Sequence, residues 1–240
     1  MHPEHASLLE EIRRKAKPSG HGGFDLAAYS GSVHSFHGLS VPERRTIARA
    51  WLAKHKGMAA DALIEVLDSL FDGPSHDEKT IATMLVALHK TARREIAPSD
   101  VDRWLDRLVG WAEIDSLCQN AFTADDMLAG WPAWGGLIGR LAGDANINKR
   151  RASLVLLTGP VRYSDDDRFT TVALANIDRL KGERAILITK AVSWLLRSMV
   201  ERHGARVAAY LDENDPTLPR IAVRETRAKL QTGRKSAVRP

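Results

Sequence analysis

The chain has a single cysteine, Cys118, among its 240 residues, so neither an intramolecular disulfide nor a cysteine-based zinc site can form. No apolar run approaches the ~18 residues a bilayer span needs, and the amino terminus lacks a signal-peptide hydrophobic region. The simplest compartment is the cytoplasm. The Gly-rich stretches at 20–23 and 135–136 lack the Gly-Lys-Ser/Thr ending of a P-loop, so no nucleotide hydrolysis is expected. Ser-His-Asp and Cys-His nucleophile systems have no local signature. His34 and His37 are two residues short of a metal site, with no third ligand at a suggestive spacing. They read as surface-loop histidines, as do His2 and His5. No metal and no cofactor are expected.

Acidic residues are scarce at the carboxyl end. From Arg220 onward seven basic residues face Glu225 alone, which places +6 of the net +5 there and leaves residues 1–219 at −1. The high isoelectric point of about 9.5 therefore does not describe the body of the protein. A polyanion site in the body must come from local clusters. The candidates are Arg13-Arg14-Lys15-x-Lys17, Arg44-Arg45, Lys90 with Arg93-Arg94, and Lys149-Arg150-Arg151. Taken singly, each reads as a solvated helix face or cap.

What the chain does have is helical periodicity. Pro42-Glu43 opens a helix to Lys56, and residues 59–71 repeat Ala62, Leu63, Val66, Leu67 and Leu70 at a period of 3.6. Further helices are expected over 77–89, 98–108, 111–120, 131–142, 146–158, 166–180, 183–202, 204–212 and 217–231. Thr123-x-x-Asp126 has the form of a capping box. No hairpin or βαβ pattern is present. Many short helices with brief turns predict an all-α fold, an α-solenoid of degenerate HEAT-like helical repeats. The expected organisation is an N-terminal helix over 1–17, a Gly/Ser/His-rich connection over 18–40, the repeat domain over 41–232, and a basic disordered tail over 233–240.

The six tryptophans are the most numerous aromatic type in an aromatic-poor chain. Trp51 and Trp104 fall on apolar helix faces, and Trp131 and Trp134 flank a proline turn, so packing accounts for these four. Trp111 and Trp194 sit near helix surfaces. Asp115 lies one turn after Trp111, so an electron-rich ring and a carboxylate leave the helix on the same side. Such a pair can cradle a cationic group. Lys190 stands one turn before Trp194; a Schiff-base role is conceivable, and a helix-surface lysine is the simpler reading.

Several separated segments resemble the AlkD-type DNA alkylation repair family, HEAT-like-repeat DNA glycosylases. They are Tyr29 followed by Gly38-Leu39 and Pro42-Glu43-Arg44-Arg45, then Trp111-Ala-Glu-Ile-Asp115, then Asn146-Ile-Asn-Lys-Arg-Arg151. Lys190-Ala-Val-Ser-Trp194-Leu-Leu-Arg197 and Arg224-Glu225 complete the set, so the resemblance spans residues 25–230. It implies a solenoid with a concave DNA-binding face, in which Asp115 is catalytic, Trp111 and Trp194 line the cleft, and Arg151 holds the DNA backbone. Arg150 immediately precedes Arg151 and leaves that register open by one residue. Lys149, Lys190 and Arg197 of the same segments are further DNA-binding candidates. Asn148 stands where the family usually has an aromatic, and Ser193 replaces a glycine.

The implied partner is duplex DNA, alkylated or distorted, bound by a monomer that associates with the nucleoid; no membrane is involved. The implied reaction is hydrolysis of the N-glycosidic bond of cationic alkylated purines such as 3-methyladenine or 7-methylguanine, without enclosing the base in a pocket. The alternative is a non-catalytic relative that binds branched or distorted DNA, and a helical-repeat protein scaffold stands third.

Overall fold

A computed structural model describes residues 1–17 and 25–235. The Gly-rich part of the expected connection, 18–24, and the end of the expected tail, 236–240, lie outside the described residues. Fifteen helices and one isolated bridge, between Ser35 and Ser75, make up the regular structure of the described residues. The all-α expectation holds. The chain forms two compact units, the first from Met1 to Phe122 and the second from Thr123 onward.

The first unit contains α1 (Pro3–Lys15), α2 (Leu26–Ser30), α3 (Val41–Lys54), α4 (Ala60–Phe71), α5 (His76–Leu88), α6 (Lys90–Arg93), α7 (Pro98–Leu105) and α8 (Trp111–Asn120). α5 is its central element and packs on α3, α4 and α8. Its apolar residues Ile81, Ala82, Leu85 and Val86 are fully buried, and so is its first turn, which is charged. Ser75 caps it in a full capping box with Glu78. Every polar group of that turn must then find a partner inside the protein. Glu78 meets His5 at 2.7 Å, Lys79 Nζ donates to the Phe71 carbonyl at 2.6 Å, and Asp77 accepts from the His37 amide at 2.7 Å. Burial pushes the Glu78 carboxyl up, but the bonds from His5 and Ser75 outweigh it and hold the group below the ordinary carboxylate range.

These contacts correct the reading of His2 and His5 as surface-loop residues. His2 caps α1 by accepting from the Glu4 amide, and His5 is buried inside α1. α2 is a second departure, because five helical residues occur where a connection was expected; Asp25 caps them and Gly31 ends them in the left-handed region.

The second unit contains α9 (Ala124–Ala129), α10 (Trp131–Leu141), α11 (Ile147–Thr158), α12 (Pro160–Tyr163), α13 (Asp167–Leu180), α14 (Ile186–Asn214) and α15 (Arg220–Thr232). α11 is buried on all sides from Arg151 to Thr158 and packs on α10, α13 and α14. The boundary expected between the helices over 183–202 and 204–212 is present: α14 consists of two helical segments joined by a kink at His203, where φ is −121° and ψ 29°. Gly204 follows, a residue type that commonly accompanies kinks, and His203 Nε2 lies 3.2 Å from the Ser164 carbonyl. Pro132 does not make a turn between Trp131 and Trp134; it sits in the first turn of α10, where a missing amide hydrogen costs nothing. Thr123 and Asp126 form the expected capping box.

Truncating the fully buried Leu85 to alanine is expected to cost about 2–5 kcal/mol in urea unfolding, because the cavity cannot collapse inside a helix packed on three others. Ile186→Ala, at an exposed first turn, is expected to stay within about 0.5 kcal/mol of wild type.

Candidate functional site

α8 begins where two backbones cross. Gly110, its N-cap, has φ +82°, and a Cβ there would lie 2.4 Å from the Gly31 carbonyl carbon and 2.4 Å from the Ser30 oxygen. Only glycine fits on both counts. The crossing brings the 29–32 segment against the first turn of α8. Trp111 Nε1 donates to the Tyr29 carbonyl at 2.6 Å, and the two rings meet edge-to-face with centroids 5.2 Å apart. The indole is thereby held by a hydrogen bond at one edge and a ring contact at another.

Trp111 and Asp115 both line one open groove of about 670 Å³ in this unit. Both are half-buried, so ring and carboxylate are reachable from solvent. Tyr29 and Leu26 stand on one side, Val41 and Arg45 of α3 on another, and Met84 and Leu88 of α5 form the apolar back. Arg45 is exposed and has no ion-pair partner among the described residues. Its neighbour Arg44 is buried instead, with Nη1 donating to Thr80 Oγ1 at 2.7 Å, and burial pushes its pKa down despite Asp77. The sequence pair Arg44-Arg45 therefore splits into one internal strut and one groove-facing cation. A carboxylate, an indole and a guanidinium around an apolar trough can receive a group that is cationic in one part and anionic in a neighbouring part.

Behind the groove lies Glu113, 1% exposed. Ser32 Oγ donates to it at 2.6 Å and the Val109 amide at 2.9 Å, while His34 Nδ1 and His76 Nδ1 lie at 3.0 and 3.1 Å. Burial pushes its carboxyl up, but the bonds from His34, His76, Ser32 and Val109 together outweigh burial and hold it down to about 2. His34 is thus no bland surface-loop residue. His37 keeps its place in that loop through its backbone, which donates to Asp77.

In the second unit the motif residues occupy two packed helices, α11 and α14. Arg151 is buried, and its Nη1 donates to the Leu187 carbonyl in the first turn of α14. Leu187, Lys190 and Trp194 follow one another at helical spacings of three and four, so they share a face of α14. Trp194 is half-buried and Lys190 is exposed. Arg150 is tied down elsewhere: its guanidinium pairs with Glu183 at 2.7 Å and donates to the carbonyls of Asp144 and Ala145. Lys149 is buried. Arg197 lies 3.3 Å from Glu225, and Ser193, in the family's glycine position, donates to the same carboxylate at 2.7 Å. Burial pushes the Arg197 pKa down, against the pull of Glu225.

Sequence reasoning placed Trp111 with Asp115 and missed Glu113 altogether. Its position three residues after the N-cap was a signal, because a glutamate there commonly reaches back to the chain before the helix. Arg45 was visible as one half of a basic pair and as the end of the Pro42-Glu43-Arg44-Arg45 segment, with no role assigned to it.

Residues 10–230 match the profile of the DNA alkylation repair enzyme family. A solved structure of a predicted DNA alkylation repair enzyme from Enterococcus faecalis shares the fold, with a TM-score of 0.70 and 16% identity over 86% of this chain and 93% of that one. A comparison with curated protein sequences gives no significant match.

Two stability predictions follow from the groove's frame. Glu113 is depressed from 4.5 to about 2, so its contribution is fully present above pH 4.5 and is lost as pH falls toward 2. The size is roughly 3 kcal/mol. Urea unfolding between pH 6 and pH 2.5 is expected to show a steeper acid loss in wild type than in Glu113→Gln; parallel profiles would contradict a carboxylate held low. Gly110→Ala is expected to cost at least about 1–3 kcal/mol, since both the positive φ and the backbone crossing oppose it.

Proposed function

The chain belongs to the DNA alkylation repair enzyme family, and from that premise we propose that it is a monofunctional DNA glycosylase for cationic alkylated purines in duplex DNA. The observation that carries this reading is the placement of Trp111 and Asp115 in one solvent-reachable groove, beside the cation of Arg45. A purine alkylated at N3 or N7 carries a positive charge. It leaves with the electron pair of the glycosidic bond and needs no general acid. The sugar left behind has oxocarbenium character. A fixed carboxylate, Asp115, stabilises that charge and orients the water that attacks C1′, and the proton the water loses passes to the carboxylate or to solvent.

The indole face of Trp111 adds cation–π stabilisation to the same developing charge. Its ring is already oriented by Tyr29, so little ordering remains to be done when substrate arrives. Trp194 has the corresponding role by motif, as a second aromatic surface for the deoxyribose. Arg151 is the phosphate contact by motif, and its Nη1 donates to the Leu187 carbonyl. Arg45 and Lys190 are exposed cations suited to the DNA backbone, whereas the donors of Arg150 are spent on Glu183 and two carbonyls. A helical-repeat protein acting as a monomer on DNA in the cytoplasm completes the reading.

Base release from methylated duplex DNA under single-turnover conditions tests it. Asp115→Asn is expected to lose ~10²-fold or more, the range for removing one electrostatic stabiliser. Wild-type protein that binds the duplex yet releases neither 3-methyladenine nor 7-methylguanine would overturn the glycosylase reading and leave binding of distorted DNA in its place. Arg45→Ala and Lys190→Ala are each expected to weaken binding across sequences and to reduce the salt slope by about 1. An unchanged slope for either variant removes that residue from the phosphate contacts.

A further inference from the structure

We propose that Glu113 is the positioning residue of the groove: a buried carboxylate that sets the orientation of Trp111 and, through the first turn of α8, of Asp115. The inference rests on the catalytic reading of Asp115 and goes beyond it, because Glu113 faces away from the groove.

Three walls of the groove converge on this one side chain. Oε2 accepts from the Val109 amide at 2.9 Å, which ties the side chain to the turn entering α8. Oε1 accepts from Ser32 Oγ at 2.6 Å, three residues after Tyr29, whose carbonyl holds the Trp111 indole. Oε1 also lies 3.1 Å from His76 Nδ1, at the start of α5, and His76 itself lines the groove with Phe36 stacked on its ring at 4.7 Å. His34 Nδ1 bridges both oxygens at 3.0 Å. Between Ser32 and Val109 runs the Gly31–Gly110 crossing, which has no room for adjustment. Moving the carboxylate therefore moves the Tyr29 segment, the His76–Phe36 pair and the α8 turn relative to one another.

Stability alone does not call for this arrangement. A buried charge carries a large desolvation cost, and an apolar side chain of similar volume commonly serves the core as well or better. What a carboxylate adds is direction: several donors from separate segments must aim at two oxygens. The groups facing it are Ser32 and His34 from the loop, His76 from α5 and the Val109 amide, with the charge of Lys79 also acting on it from α5. Each satisfied bond removes one way for the groove to deform.

The test separates positioning from folding and from the catalytic reading. Protein labelled with 5-fluorotryptophan gives one fluorine resonance per tryptophan; Trp111→Phe assigns the Trp111 signal, and Trp104, in the core of the same unit, serves as control. In Glu113→Gln, which keeps shape and loses charge, the Trp111 resonance is expected to shift or broaden while that of Trp104 stays in place. Single-turnover base release is expected to fall on the order of tenfold to a hundredfold, with duplex affinity within about twofold of wild type, the signature of misplacement rather than lost binding. Ser32→Ala removes one donor only and is expected to give a smaller change of the same kind, which keeps the test available where Glu113→Gln does not fold. A folded variant with an unmoved Trp111 resonance overturns the proposal. So does a moved resonance with unchanged release. If wild type releases no base, the catalytic reading fails by itself, and the Trp111 resonance still decides whether Glu113 positions the ring.

Discussion

A carboxylate deprived of water needs donors, and the first unit is organised around that need. Glu113 draws them from a loop, from the start of α5 and from the turn into α8, and Glu78 does the same with His5 and the cap of α5. Two buried anions therefore determine where four segments meet. The apolar contacts of α3, α4 and α5 supply most of the driving force for collapse, but they are non-directional. Direction comes from the polar groups, and it reaches the groove through the Gly31–Gly110 crossing and the Trp111–Tyr29 bond.

The groove draws its chemistry from the unequal exposure of its charges. Arg44 is buried and bonded to Thr80, while Arg45, the next residue, is exposed at the groove. One helical step of about 100° separates a strut from a ligand for an anion. In the second unit the guanidinium of Arg150 pairs with Glu183, while its neighbour Arg151 is buried and donates to the Leu187 carbonyl. Counting arginines in a run thus says little about how many can meet a phosphate.

How much was legible follows from the range of each signal. Helices α3, α4, α5, α7, α8, α10, α11 and α13 are marked by caps, prolines and a 3.6 period, which act within one or two turns, and their limits agree with the expected ones to within a few residues. The break at His203 was legible because Gly204 weakens a helix locally, and the non-helical backbone at His203 divides α14 into the two expected segments. The helices α2, α6 and α12 run to five residues or fewer, too short for any period to show. The Trp111–Asp115 pair was legible because its geometry is that of a single helix. Glu113 was not, since its partners stand up to 81 residues away in sequence. His-Asp-Glu-Lys at 76–79 looks like a solvated turn by composition and is buried by long-range pairing.

Two carboxylates on one helix, two residues apart, therefore do different work. At about 100° per residue they point nearly opposite ways: Asp115 into a groove open to solvent, Glu113 into the packed interior. The buried one is surrounded by donors that satisfy it and keep it ionised, so it can neither approach a substrate nor give up its charge to one. The half-exposed one lines the groove and is reachable from solvent. Rigidity and reactivity make opposite demands on a carboxylate, since full satisfaction of its lone pairs fixes geometry and spends the capacity to stabilise a new charge. On the proposed reading the two demands fall on separate side chains of the same helix: Glu113 stiffens the frame around Trp111, and Asp115 meets a sugar that becomes cationic only in the transition state.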